Sequence, residues 1–117
     1  METRAAAEHW REVWTRGWRA HDAQEILALY APDAYFQSHP FRKAGTPSDY
    51  IEPTLAAEDS TECEFGEPIV DNPRAAVEWS AETKLKDGST EKLAGVSLLR
   101  FDPDGLVVEQ RDFWASA

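Results

Sequence analysis

Cysteine, positive charge and long apolar runs are all scarce in this sequence of 117 residues. Cys63 is the only cysteine, so the chain can form no internal disulfide and offers no cysteine-based metal site. Glu62 and Glu64 flank this cysteine and disfavour its thiolate form. The residue is therefore interpreted as a structural or surface thiol rather than as a nucleophile.

Lysine and arginine together number 12 against 22 acidic residues, which gives a formal net charge of −10. A chain this acidic repels a phosphate backbone, and no basic stripe offsets the effect. No apolar stretch approaches the roughly 20 residues of a membrane-spanning helix, and the polar segment Met1 to Glu8 lacks the apolar run of a secretion signal. We therefore expect no nucleic-acid partner, no membrane partner and a cytoplasmic location.

Several short enzyme motifs are also missing. The sequence has no glycine-rich phosphate loop, no pair of histidines at metal-binding spacing and no nucleophile elbow. These absences argue against nucleotide, metal and acyl-transfer chemistry. We expect neither a bound metal nor another cofactor.

Tryptophan, in contrast, is abundant, with five residues in the chain. Trp10, Val13, Trp14 and Trp18 follow the spacing i, i+3, i+4 and i+8, which predicts an amphipathic helix over Arg4 to Ala20. In a small domain such a stripe forms either the core or the wall of a pocket.

Two further helices are predicted from their caps. Asp22 caps a helix with apolar residues between Ile26 and Tyr30, and Pro32 ends it. The run Thr46-Pro47-Ser48-Asp49 has a cap, a proline and an acid in the order that begins a helix. Pro53 is expected to end or kink this third helix early.

The rest of the chain has the pattern of strands separated by turns. Strong turn signals stand at Asp87-Gly88 and at Asp102 to Gly105. Helices followed by an antiparallel meander predict one α+β domain over 1–117, with a curved sheet whose hollow holds a ligand. The predicted strands are Ala34 to His39, Glu64 to Val70, Ala75 to Leu85, Lys92 to Phe101 and Leu106 to Trp114.

Both ends of the chain carry recognisable runs of sequence, namely Trp18 to Asp22 and Leu27 to Ala34 near the start, and Gly95 to Phe101, Asp104 to Val108 and Gln110 to Trp114 near the end. These runs resemble the opening and closing segments of the nuclear transport factor 2-like superfamily, most of all its SnoaL-like branch. The resemblance implies a cone-shaped barrel, in which a strongly curved, mixed but mostly antiparallel sheet wraps around N-terminal helices and encloses one hydrophobic pocket. It also implies a homodimer that pairs through the sheet face. Isomerases, cyclases, dehydratases, epoxide hydrolases and pure binding modules share this fold.

The resemblance to the steroid isomerases of the superfamily implies three catalytic positions. Those enzymes use a tyrosine on the first helix, a basic aspartate after the first strand and an aspartic acid on the penultimate strand. The corresponding positions here hold Trp14, His39 and Ser97, so all three residue types differ. A neutral serine is a weaker donor to a developing enolate than a buried carboxylic acid.

The resemblance to the epoxide hydrolases implies a different set. Those enzymes use an arginine and an aspartate on a middle strand, with a second aspartate in an Arg-Asp-aromatic run on the last strand. Asp112 matches the second aspartate, Glu78 falls at the position of the first, and Ala76 stands where the arginine would be.

Three residues are predicted to carry acid–base chemistry. Asp112 shares a strand face with Gln110 and Trp114, and an apolar pocket there would raise its pKa, whereas a structural salt bridge is the alternative. His39 follows the first strand near the mouth and titrates near neutrality, with a solvent-facing rim position as the alternative. Glu78 is the third candidate: alternation along its strand favours a solvent-facing position for the charged residues, whereas a shift of one residue in register exchanges the two faces and puts Glu78 rather than Trp79 in the pocket.

These observations predict a pocket for a small apolar molecule. The chain is interpreted as a cofactor-independent acid–base enzyme of the isomerase, cyclase, dehydratase or epoxide hydrolase type. The alternative is a non-catalytic module for ligand binding or dimerisation. The predicted ligand-binding residues are Trp14, Trp18, Tyr30, Phe36, Phe41, Ser97, Leu99, Gln110 and Trp114.

Overall fold

Three helices pack against one six-stranded sheet in a computed structural model that describes all residues, 1–117. This arrangement confirms the predicted α+β class. The elements are α1 (Thr3–Ala20), α2 (Ala23–Leu27), β1 (Tyr30–Gln37), α3 (Pro47–Ala56), β2 (Glu58–Phe65), β3 (Ile69–Asp71), β4 (Arg74–Leu85), β5 (Thr90–Phe101) and β6 (Val107–Ser116).

The sheet is mixed but mostly antiparallel, as expected. Its strand order is β1-β6-β5-β4-β2, and the short β3 pairs with β4. Only the β1–β6 pair is parallel. The long hairpins β4–β5 and β5–β6 form the centre of the sheet, and α1 packs mainly against β2 at its edge.

Helix α1 confirms the amphipathic pattern and puts its tryptophan stripe against the sheet. Trp10, Val13, Trp14 and Trp18 are all buried. Gly17 lies where α2 crosses, and a Cβ added there would lie 2.7 Å from Cγ1 of Ile26. The glycine therefore permits the close approach of the two helices, although it lowers the intrinsic helix propensity.

Some element boundaries differ from those predicted. The second helix ends at Leu27, and Tyr30 already begins β1, because the backbone N–H of Val107 binds the carbonyl oxygen of Leu29 and draws this segment into the sheet. Pro53 does not end α3, which continues to Ala56. The proline removes one backbone hydrogen bond, and the buried side chains of this helix hold the next turn in place.

The strand predicted to begin at Glu64 begins at Glu58 instead, and residues 69–71 form a separate short strand. The predicted hairpins and the last three strands are confirmed within a few residues. None of the three helices combines the length and the apolar character needed to cross a lipid bilayer.

Candidate active site

One cavity of about 270 Å³ lies between α1, α3 and the sheet. Its size is near the lower end of the roughly 300–1,000 Å³ typical of ligand pockets. Twelve of its 19 lining residues are hydrophobic. All five tryptophans of the chain belong to the wall: Trp10, Trp14, Trp18, Trp79 and Trp114.

Asp112 projects into this cavity from β6, on the same strand face as Gln110 and Trp114. Its Oδ1 atom accepts hydrogen bonds from Oγ of Ser97 at 2.6 Å and from Nε2 of Gln110 at 3.0 Å. The other oxygen, Oδ2, receives no hydrogen bond from the protein and forms no salt bridge. The carboxyl group is therefore fixed through one oxygen, which leaves the other available to a ligand.

The residues behind Asp112 form a closed hydrogen-bond network. Oε1 of Gln110 accepts from the Tyr30 hydroxyl at 2.6 Å and from Nε1 of Trp10 at 3.1 Å. Nε1 of Trp14 donates in turn to the Tyr30 hydroxyl at 3.1 Å. These bonds orient the Gln110 amide so that its NH₂ group points toward the carboxylate, and burial raises the pKa of Tyr30 so that it stays a neutral donor.

The pKa of Asp112 is raised from 3.8 to about 6. Burial is the main cause, and the hydrogen bonds from Ser97 and Gln110 oppose it only in part. A carboxyl group with such a pKa is mostly ionised at neutral pH and remains a stronger base than an ordinary aspartate. It has the properties that proton transfer near pH 7 requires.

A second carboxyl group, that of Glu58, lines the same cavity from the start of β2. Only 5% of this residue is exposed. Its Oε1 atom accepts from Nε1 of Trp18 at 2.9 Å and from Oγ1 of Thr61 at 3.0 Å, with Nε2 of His21 at 3.7 Å. Burial raises the pKa of Glu58, and the bonds from Trp18 and Thr61 moderate the shift. Like Asp112, Glu58 has one oxygen that the protein leaves without a donor.

Part of the residue set predicted from the sequence lies in the wall of this cavity. It comprises the first-choice acid or base and five of the residues predicted to contact the ligand. These residues are Asp112, Trp14, Trp18, Ser97, Gln110 and Trp114.

Three predicted ligand contacts lie behind the wall rather than in it. Tyr30, Phe36 and Leu99 are buried in the hydrophobic core and do not line the cavity. Tyr30 still acts on the site through its bond to Gln110. Phe41 departs most from the prediction, because it is 94% exposed in the turn after β1.

The remaining predicted acid–base residues, Glu78 and His39, are also outside the cavity. Glu78 is exposed on the outer face of β4, since the alternation of this strand turns Trp79 inward. His39 packs its ring against Trp114 at 4.7 Å between centroids and accepts a bond from the backbone N–H of Phe41. Its place is at the edge of the wall, without a hydrogen bond to Asp112.

Several lining residues were not predicted as site residues. Trp10 belongs to the helix stripe and Trp79 to the inward face of β4, so both follow from periodicity once the faces are assigned. No periodicity in the sequence indicated that Glu58 would face the cavity. A bulge between Glu58 and Ser60 shifts the register of β2, so that Glu58 is buried on the same side as Thr61, three residues later. No group of three or more His, Cys, Asp or Glu side chains converges to form a metal site.

The chain was compared with known proteins by sequence and by structure. The sequence profile of the SnoaL-like domain matches residues 7–110. Among curated proteins, none matches the chain in sequence. RV0760c from Mycobacterium tuberculosis, in complex with estradiol-17beta-hemisuccinate, is similar in structure with a TM-score of 0.78 at 20% identity, over 94% of both chains.

Two further solved structures have similar folds. SalBIII, described as an epoxide hydrolase/cyclase-like enzyme in pyran ring formation, has a TM-score of 0.76 at 18% identity, over 93% of this chain and 92% of its own. A protein from Catenulispora acidiphila with a ketosteroid isomerase-like fold, in complex with trimethylamine, has a TM-score of 0.75 at 15% identity, over 88% of this chain and 82% of its own. At these identities the likeness shows the fold.

Proposed function

This chain belongs to the SnoaL-like domain family, and we propose that it is a cofactor-independent enzyme that transfers protons on a small, mostly apolar molecule. Asp112 is the general base. The observation that carries the proposal is its Oδ2 atom, which faces the cavity without a protein partner while Ser97 and Gln110 hold Oδ1.

In this mechanism the substrate lies against the tryptophan rings, and Oδ2 of Asp112 takes a proton from it. Fixing Oδ1 limits the rotation of the carboxylate, so the base meets the substrate in one geometry. The largely apolar surroundings sustain the raised pKa that makes the carboxylate an effective base. Glu58, which is buried in the same wall, replaces Glu78 and His39 as the second titratable group of the proposed site.

The relatives support a ligand of this kind. One structural neighbour was solved with a steroid derivative, one with a small amine, and a third is described as epoxide hydrolase/cyclase-like. Isomerisation, cyclisation, dehydration and epoxide opening all need a positioned base, and these are the reaction types proposed. We propose in addition that two copies of the chain associate through the outer face of the sheet.

The test compares wild type and Asp112→Asn on a panel of enolisable ketones and epoxides. Wild type should turn over at least one of them, and its kcat/KM should rise with pH through about 6, because the base acts only when ionised. The kcat/KM of Asp112→Asn should be lower than that of wild type by roughly 100-fold or more, the size of a general-base contribution. Asp59→Asn removes an exposed carboxylate from β2 and serves as the matched control.

A non-catalytic ligand-binding module is the second candidate. It is favoured by the fact that every tryptophan N–H at the cavity already donates to the protein, so none is free to stabilise an oxyanion. Ligand binding by wild type without turnover of any compound in the panel would support this candidate and contradict the enzyme.

A further inference from the structure

The inner wall of the cavity offers ring faces and acceptors but few hydrogen-bond donors. The five indole N–H groups donate to protein oxygens at 2.6–3.1 Å: those of Gln110, Tyr30, Glu58, Ser97 and the Ser38 backbone. The Ser97 hydroxyl is also occupied, because it donates to Asp112. The other donors, on Arg42, Tyr50 and Thr54, belong to the partly exposed side formed by α3 and the loop before it.

The acceptors of the inner wall carry negative charge that the protein barely neutralises. Neither Asp112 nor Glu58 forms a salt bridge with a lysine or arginine. The only basic group near Glu58 is the His21 ring at 3.7 Å, and Glu91 adds a further carboxylate to the lining. An anionic ligand, or one that presents only acceptors, would meet unfavourable electrostatics here.

Aromatic ring faces around a buried carboxylate form a favourable environment for an organic cation. One cation of the protein already makes such contacts, since the Arg42 guanidinium lies 5.3 Å from the ring centre of Tyr50 and 5.2 Å from that of Trp114. Trp18 and Trp79 meet edge to face at 5.7 Å beside Glu58, deeper in the wall. The overall charge of −10 also attracts cations to the molecule before they bind.

We propose that the ligand of this cavity is a small protonated amine with an apolar body. Its ammonium group donates an N–H bond to the free oxygen of Glu58 and is attracted by the negative charge of Asp112, and its body packs among the tryptophan rings. This inference rests on the proposed use of the cavity as the substrate site, and it names the class of that substrate. Glu58 then anchors the charge, which leaves Asp112 able to act as the base elsewhere on the molecule.

Three probes with one apolar body and different charge test the proposal: 2-phenylethylammonium, 2-phenylethanol and phenylacetate. Binding is measured by calorimetry and by quenching of the tryptophan fluorescence, because all five tryptophans line the cavity. We expect the ammonium to bind roughly tenfold or more tightly than the alcohol, the factor that a desolvated cation–π contact supplies. Phenylacetate should bind most weakly.

Variants separate the two carboxyl groups from the rest of the wall. Glu58→Gln and Asp112→Asn should each reduce the affinity for the ammonium toward that for the alcohol, and continued binding of the alcohol shows that the variant is folded. Glu62→Gln, an exposed change on the same strand as Glu58, is the matched control and should not alter either affinity.

A pH series adds a readout that packing alone does not produce. Affinity for the ammonium should increase as pH rises through about 6, where Asp112 ionises. The increase should flatten in Asp112→Asn. Other charged or titratable groups around the cavity are Glu58, Glu91, Arg42, His21, Tyr30 and Tyr50, and the comparison of wild type with Asp112→Asn separates their effect from that of Asp112.

Equal affinity for the ammonium and the alcohol, tightest binding of phenylacetate, or no binding of the ammonium at millimolar concentration would each overturn the proposal. These outcomes are separate from those of the catalytic test. A neutral ligand that Asp112 deprotonates would contradict the proposed amine ligand and support the proposed enzymatic activity. Selective binding of the ammonium without any turnover would contradict the proposed enzymatic activity and support the proposed amine ligand.

Discussion

At the scale of single residues, the fold disfavours the charge on Asp112. Its pKa is raised from 3.8 to about 6, so between these pH values the native state binds more protons than the unfolded chain. The stability that Asp112 contributes is therefore fully present below pH about 4 and is lost as pH rises through about 6. Asp112→Asn keeps the shape of the side chain and cannot ionise.

We expect Asp112→Asn to be as stable as wild type near pH 4 and more stable at pH 7.5, by roughly 1–3 kcal/mol. Urea unfolding followed by tryptophan fluorescence at both pH values measures the difference. Asp59→Asn, at an exposed position, should have nearly the same unfolding free energy as wild type at either pH. A variant less stable than wild type at pH 7.5 would mean that the surroundings favour the ionised carboxylate.

The sequence predicted Asp112 and its inward face because alternation along a strand is strict once one residue of the strand is assigned. It could not predict Glu58, whose side of the sheet depends on a bulge set by pairing with β4. It also could not rank Tyr30 as a supporting residue, since the bond to Gln110 joins residues 80 positions apart. Local sequence patterns predict which face of a helix or strand a side chain occupies, whereas contacts between distant residues determine which side chains come together in the site.

At the scale of elements, α3 forms one side of the cavity and depends on its first turn. Oγ1 of Thr46 accepts from the backbone N–H of Asp49 at 3.3 Å, and the Asp49 carboxylate accepts from the N–H of Thr46 at 3.2 Å. The bond from the Thr46 backbone N–H is the main cause that lowers the pKa of Asp49, and the Thr46 side chain acts in the same direction. The run that begins at Thr46 predicted the threonine as the cap of this helix, and the bond from the Thr46 N–H to the Asp49 carboxylate completes a capping box.

We expect Thr46→Ala to cost about 1 kcal/mol of unfolding free energy, because it removes one side of the cap. Thermal or urea unfolding measures the loss. Thr46→Ser retains the acceptor and should recover most of it. If alanine and serine behave alike, the hydroxyl does not stabilise this helix.

Element boundaries were predictable where sequence signals are local and not where pairing is distant. The hairpins of the last three strands have turn residues of their own. The start of β1 at Tyr30, in contrast, depends on parallel pairing with β6, and Tyr30 lies opposite Val107. The apolar residues that pair there are equally compatible with the end of a helix, so the local pattern alone predicts that the helix continues through them.

At the scale of the whole molecule, the two faces of the sheet have different roles. The inner face carries the cavity and the core. The outer face presents half-buried apolar side chains on the two adjoining strands β5 and β6, among them Val96, Leu98 and Phe113. Phe113 alternates with Asp112, so the residue next to the proposed base belongs to the opposite surface.

We expect the chain to form a homodimer in which this outer face is covered, because pairing would remove its apolar side chains from water. A stable interface of this kind buries about 800 Å² on each partner. Sedimentation velocity across the micromolar range should give twice the chain mass of 13.2 kDa. Phe113→Asp should shift the species to monomer, because it buries an unpaired charge, while Phe113→Leu should retain the dimer. Neither change touches the cavity, so affinity for 2-phenylethylammonium should survive in the monomer. A wild type that sediments as a monomer throughout would show that the outer face pairs with nothing, and the site would then work within a single chain.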